Sequence, residues 1–207
     1  MSLKKASGKC RASYILLIII LVVIVIILSM IYQLYAHLAE ISEYRGREAA
    51  TGIITSAVDR TISRCDTTEL YTLTTDDSGK VLSAQLDANA ANRVKNILIE
   101  ETEKGLEELG EKGISIPVGT LLGIPFVSGR GAEIDLGVQQ LGAVKSELTS
   151  HFESAGINQT RLTIYVNVTV EIRAILPDGH TDITVTEEHI ISDSLIVGDI
   201  PQAYIAK

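Results

Sequence analysis

The chain has 207 residues, with 18 Lys+Arg against 26 Asp+Glu for a net charge of −8, two Cys and no Trp. No Asp, Glu, Lys or Arg occurs from Ala12 to Ala39, and Ile15 to Leu28 is an unbroken run of Ile, Leu and Val, a pattern that excludes a fully soluble chain. Lys4, Lys5, Lys9 and Arg11 precede the run, so the rest carries 14 basic and 26 acidic residues; that acidity excludes nucleic acid, whose phosphates need a basic face.

The apolar run predicts a transmembrane anchor over residues 14–32. A helix of that length rises about 28 Å, close to the hydrocarbon thickness of a bilayer. The cationic cluster keeps residues 1–13 in the cytoplasm as a short tail, because the first charges beyond the run are Glu40 and Glu43. Everything after the span is then outside. A cleaved signal peptide is the alternative, but the run is longer than a signal core, and Ala36-His37-Leu38 lacks the small third residue of a cleavage site. On this topology Cys10 and Cys65 lie on opposite sides of the membrane, which excludes a disulfide between them and leaves stability to an ordinary core.

Residues 33–65 predict a membrane-proximal helix continuing from the anchor. Leu34, Leu38, Ile41, Ala49, Ile53, Ala57 and Ile62 recur at roughly helical spacing, and no Pro precedes Pro117. Gly46, Ala49, Ala50 and Gly52 would let a sheet or a second helix approach closely, within the chain or between copies. Gly46 and Gly52 each weaken a helix by about 1 kcal/mol relative to Ala, which allows a kink there.

Residues 66–207 have the length of one extracytoplasmic domain, expected to be α+β. Leu70 to Thr75 and Lys80 to Leu86 flank Asp76-Asp77-Ser78-Gly79 and predict a hairpin. An amphipathic helix follows from Ala88 to Leu109, with Val94, Ile97, Leu98, Glu101, Leu106 and Leu109 along its inner stripe, an acidic outer face, and Gly110 and Gly113 marking its end. At the C-terminal end, Leu162, Ile164, Val166, Val168, Val170, Ile172, Ala174 and Leu176 alternate with Thr163, Tyr165, Asn167, Thr169, Glu171 and Arg173. That period of two, with shorter alternating runs from Val144 to Phe152 and from Ile183 to Val197, predicts a three-stranded antiparallel meander with one buried face. An irregularity is expected around Glu187-Glu188-His189.

Between helix and meander, Ile114 to Gly131 holds two Pro and several Gly and cannot be one regular element. It nevertheless carries Leu121, Leu122, Ile124, Phe126 and Val127. These five form a candidate interaction segment, to be hidden in the domain's own core or against a partner or the bilayer surface. With one basic residue, Arg130, and no matching glycine pattern, the segment is not a phosphate loop.

No constellation of catalytic type emerges. His37, His151, His180 and His189 show no metal-ligand spacing, no G-x-S-x-G turn is present, and Glu100-Glu101, Glu107-Glu108 and Glu187-Glu188 are sequence neighbours rather than convergent pairs. No cofactor is expected. The Asn-x-Thr triplets at Asn158 and Asn167 match a glycosylation acceptor, the second within a predicted strand. A type IV pilin would need a glutamate inside the apolar run, and none precedes Glu40.

Three segments, Ile116-Pro117-Val118-Gly119-Thr120-Leu121-Leu122-Gly123, the run from Phe152 to Arg161, and Leu195-Ile196-Val197-Gly198-Asp199-Ile200-Pro201, resemble the sporulation protein YunB family of endospore-forming bacteria. The resemblance extends over roughly residues 35–204 and implies a role in forming the spore, at a membrane of the developing cell. It transfers no catalytic motif. The chain is therefore expected to be a membrane-anchored, non-enzymatic assembly or interaction protein with a protein partner, self-association being open. A cell-wall hydrolase using an acidic residue with His151, His180 or His189, or a ligand-sensing domain, is the alternative.

Overall fold

The computed structural model describes residues 6–65, 67–77, 81–123, 125–156 and 159–197. In chain order they form α1 (Ala6–Arg64), β1 (Tyr71–Thr75), β2 (Val81–Leu86), α2 (Ala88–Lys112), β3 (Ile114–Pro117), α3 (Val118–Leu121), β4 (Glu133–Gln140), β5 (Lys145–Gly156), β6 (Gln159–Leu176) and β7 (Gly179–Val197). The α+β class, the hairpin, the helix after it and the long meander agree with the sequence. The apolar calls at Leu34 and Ile124, and the sequon at Asn158, fall on residues or side chains outside those described.

β6 is the spine of the main sheet. Its whole length pairs antiparallel with β7, from Gln159 opposite Val197 to Leu176 opposite Gly179. The other edge is shared: β5 takes the first part, from Gly156 opposite Gln159 to Lys145 opposite Thr169, and β4 takes Ile172 to Ile175, with β3 added outside β4. Leu162 to Leu176 at even positions are all buried, as a strand with one covered face requires. Of the odd positions Thr163 is buried, while Arg161 and Arg173 make cross-strand pairs on the outer face. Arg161 forks onto Asp193 through Nε at 2.8 Å and Nη2 at 2.5 Å, and Arg173 onto Asp182 at 2.6 and 2.8 Å. Exposed pairs add little stability individually, but a one-residue slip would break both forks, so they reinforce the register set by the buried face.

Two helices cover the inner face. α1 lies along β7 and β6, and α2 packs beside it. The buried stripe of α1 is Leu38, Ser42, Gly46, Ala50, Ile54, Val58 and Thr61, a four-residue spacing. Ile62, expected inward, is instead exposed. Gly46 is where the backbone comes closest to the sheet: a Cβ there would collide with Ile183 Cδ1 and lie 3.7 Å from Ile172 Cδ1 and 3.8 Å from Ile114 Cδ1. α1 runs without interruption through Gly46 and Gly52. Arg47 donates to the Thr184 carbonyl at 3.1 Å, and Thr51 Oγ1 donates to Glu187 at 2.8 Å.

α2 is defined at both ends. The Asp87 carboxylate accepts from the backbone N–H of Asn89 at 2.8 Å and of Ala90 at 2.9 Å, and these two bonds, Ala90's first, hold its pKa below the ordinary value. Gly113 ends the helix with φ 70° and its N–H on the Leu109 carbonyl at 2.8 Å, a conformation that other residues adopt at a cost. Across the helix pair, the Glu101 side chain is only 5% exposed and accepts from Arg60 at 3.3 Å and Arg64 at 2.5 Å. Its position on the inner stripe is thus explained by two arginines of α1. Tyr71 OH shares a 2.9 Å hydrogen bond with Ser194 Oγ and ties the hairpin to β7.

Three features depart from the sequence reading. β4 has no counterpart in it, although Ile134, Leu136 and Val138 alternate. The Ile114–Gly131 stretch opens with a true strand, β3. The irregularity of β7 falls where Tyr165 pairs with Ile190 and Ile164 with Ser192, so Ile191 is the extra residue, rather than Glu187 to His189. It is buried in continuation of the alternation that turns Ile183 and Val185 inward, and the extra residue moves the following inward positions to Ser192 and Ser194, opposite Ile164 and Leu162.

The first 24 residues of α1 are a different matter. From Tyr14 to Ser29 the described side chains are exposed and, from Tyr14 to Leu28, all large and apolar or aromatic. Among the described residues no helix is long and apolar enough to cross a membrane.

The contrast between two glycines gives a direct check. Gly52 faces open space on a helix surface, with nothing within 4 Å of an added Cβ, so Gly52→Ala should stabilise the protein by about 0.5–1 kcal/mol. Gly46→Ala should lower the melting temperature, because Ile183 must move. Equal effects of the two substitutions in thermal denaturation would contradict this seating of α1.

The forks also predict an acid response. Hydrogen bonds from Arg161 and Arg173 hold the Asp193 and Asp182 carboxyls below the ordinary value of 3.8. Their contribution is complete above that value and is lost as pH falls through the lowered folded pKa. In acid titration followed by circular dichroism, the variant Asp182→Asn with Asp193→Asn should be less stable near neutrality, and its difference from the native protein should vanish in strong acid.

Candidate functional site

The loop between β3 and β4 is a built structure rather than a slack connection. Val118 N–H donates to the Ala132 carbonyl and Gly119 N–H to the Arg130 carbonyl, both at 2.9 Å. Gly129 N–H reaches Thr120 Oγ1 at 3.1 Å, and Arg130 N–H the Val127 carbonyl at 3.1 Å. Gly119 makes the crossing feasible, since a Cβ there would run into the carbonyl oxygens of Val127 and Arg130. Pro125–Val127 is a 3-10 turn at the far side.

This scaffold divides the candidate interaction segment. Leu121 is 1% exposed and belongs to the core. Val127 is half-buried over Gly119. Leu122 is 40% and Phe126 83% exposed, and Ile124 lies outside the described residues. The Arg130 guanidinium sits 5.9 Å from the Phe126 ring centroid, at the outer range of a cation–π contact. The loop thus presents an apolar tip with one cation. Composition signalled the apolar residues; nothing in it signalled which would be buried, because that depends on the hydrogen bonds that fold the loop over Gly119.

Strand direction fixes where the tip sits. β3 is antiparallel to β4, which is antiparallel to β6, so β3 runs with β6 toward the Pro177-Asp178 turn. Along α1, Gly46 lies by Ile183 and Thr51 by Glu187, so α1 runs with β7, away from that turn. The N-terminal part of α1 and the β3–β4 loop therefore share one end of the domain, and α3 packs on α1.

The histidines are apart. His151 lies on the wet face of β5 opposite Thr163, His180 is exposed beside the β6–β7 turn, and His189 shares the covered face of β7 with its partner Val166. His189 Nε2 and Ser146 Oγ are buried with no hydrogen-bond partner, separated by the width of β6. Among the described residues no group of three or more His, Cys, Asp or Glu could hold a metal ion. Cys65 is half-buried just past the end of α1, against Val58, Val94, Leu98 and Ile191.

Fold and site together define a helix-mounted antiparallel sheet whose distinctive surface is an apolar loop tip. Residues 113–203, which include β3 to β7, match the family model described as Sporulation protein YunB. The Sporulation protein YunB of Bacillus subtilis (strain 168) is 22% identical over 178 residues, covering 81% of this chain and 70% of that protein. No solved structure gives a significant match. Over these residues the chain is similar to the sporulation protein YunB family.

The split within the loop is open to mutation. Leu121→Ala should destabilise the fold by about 2–5 kcal/mol, as for other buried leucines, whereas Phe126→Asp should stay within about 0.5 kcal/mol of the native protein. Loss of cooperative melting in Phe126→Asp would show that the tip is core after all.

Proposed function

We propose that this protein is a membrane-anchored, non-enzymatic assembly or interaction protein of endospore formation. Residues 1–13 are a cytoplasmic tail, 14–32 the anchor and 33–65 the membrane-proximal helix, and 66–207 form the domain held outside the cytoplasm. The observation that carries this reading is α1 itself. One helix has a stretch of exposed apolar side chains with no charge, from Tyr14 to Leu28, and then a stripe buried against a sheet, from Leu38 to Thr61. The first stretch would expose a large apolar area to water, at about 25 cal/mol per Å²; a bilayer removes that cost. The similarity to the sporulation protein YunB family supports the process. The domain's offering to other molecules is the loop tip, with Leu122 and Phe126 outward and Ile124 between them in sequence.

Topology can be read with a membrane-impermeant thiol reagent on intact sporulating cells. In a Cys65→Ser background, Asp178→Cys in the exposed β6–β7 turn should label from outside, and Cys10 only after permeabilisation. Labelling of Cys10 in intact cells would reverse the orientation, and recovery of the full chain in the soluble fraction would end the anchor reading. The absence of catalysis is tested separately: cleavage of peptidoglycan or peptide by the purified full chain, abolished by a single substitution at His151, His180 or His189, would make it an enzyme.

A further inference from the structure

Above the anchor, α1 carries Tyr32 and Tyr35 as exposed aromatics, 78% and 39%, before Leu38, the first buried side chain among those described. Tyrosines at the end of an apolar span mark the headgroup level of a bilayer. From Tyr32 to Leu38 the helix rises about 9 Å, so a domain that begins at Leu38 stands close to that surface. The β3–β4 loop is on this side. Ile114 lies by Gly46, and the three steps from Ile114 to Pro117 advance about 10 Å. That equals the rise of about seven helical residues, from Gly46 back to the level of Leu38. The loop then continues beyond Pro117 with Leu122 and Phe126 exposed.

Its charge is also unlike that of the rest. The segment from Lys112 to Ala132 has no Asp or Glu and holds Lys112 and Arg130, in a chain with 26 acidic residues. Acidic side chains would be repelled by anionic lipid headgroups, and basic ones attracted. Exposed Phe and Leu beside a cation, at the end of the domain that faces the anchor, have the chemistry of an interfacial membrane contact.

Resting on the anchor reading, we infer that the loop tip, Leu122 and Phe126 with Arg130, docks on the anionic surface of the bilayer that holds α1. The contact is with lipid rather than with a protein. It provides a second point of attachment beside the anchor and so fixes the rotation of the domain about the axis of α1.

The chain has no Trp, so a single introduced Trp reports its own surroundings. The full chain is reconstituted in vesicles of phosphatidylcholine and phosphatidylglycerol containing brominated lipid, with Phe126→Trp as loop reporter, Tyr32→Trp as anchor reporter and Phe152→Trp, at the opposite end of the sheet, as control. We expect blue-shifted, strongly quenched emission from the first two and unquenched emission from the third. Adding Arg130→Glu to Phe126→Trp, or omitting phosphatidylglycerol, should reduce the loop quenching and leave that of the anchor reporter intact. Quenching at Tyr32→Trp without quenching at Phe126→Trp overturns the lipid contact and leaves the anchor standing. Absence of both overturns the anchor reading and the contact with it. An emission from Phe126→Trp that shifts only on adding extract from sporulating cells also overturns the lipid contact, in favour of a protein one. Circular dichroism of each variant confirms that the fold is retained.

Discussion

The close seating of α1 on β6 and β7 is the contact on which the remaining architecture depends. Gly46 and Ala50 keep the helix backbone near the sheet, and Ile54 and Val58 fill the space as α1 proceeds. That approach helps bury the even residues of β6. It also determines where α2 can lie, because the Glu101 carboxylate must reach Arg60 and Arg64 on α1. A buried carboxylate without those partners would be expensive. The pair therefore specifies the helix–helix arrangement more than it adds to stability.

The hydrogen-bonded loop after β3 depends on the same frame. β3 is tied to β4, and β4 to the end of β6, so the loop inherits a fixed position relative to the N-terminal half of α1. Leu121 anchors it inward while Gly119 lets its two limbs cross. An exposed Phe at the tip of such a rigid loop loses little conformational freedom when it meets another surface, which favours recognition over mere stickiness.

Much of this was legible in the residues because strong periodicities need little context. Eight apolar residues at alternate positions of β6 have only one consistent reading, and Gly113 acts within the local chain. The Ile191 bulge and β4 were not legible for the opposite reason. β4 is eight residues long with Gly137 in its middle, too brief a pattern to stand without its partner, and it becomes a strand by pairing with Ile172 to Ile175. The bulge sets which residues of β7 beyond Ile191 face the core, and that depends on Cys65 and Val94, which line the space beside Ile191 and are far away in sequence. In the loop, burial of Leu121 and exposure of Leu122 differ by one residue of the same type, and only the folded backbone separates them.

β7 has a consequence for how copies of the domain meet. Its 19 residues, Ile191 apart, pair with β6 and, among the described residues, with no other strand, so its outer edge offers unpaired peptide groups of the kind that recruit a second molecule. Two such edges would join most extensively when related by a twofold axis near the strand's midpoint. Glu188 then confronts its own equivalent, with Glu187 next to it in the chain. Like charges facing each other across strands are unfavourable. The strand with the longest open edge thus bears an order of charges that opposes its own duplication, and extension of the sheet from molecule to molecule along β7 is blocked at the register that would otherwise hold best.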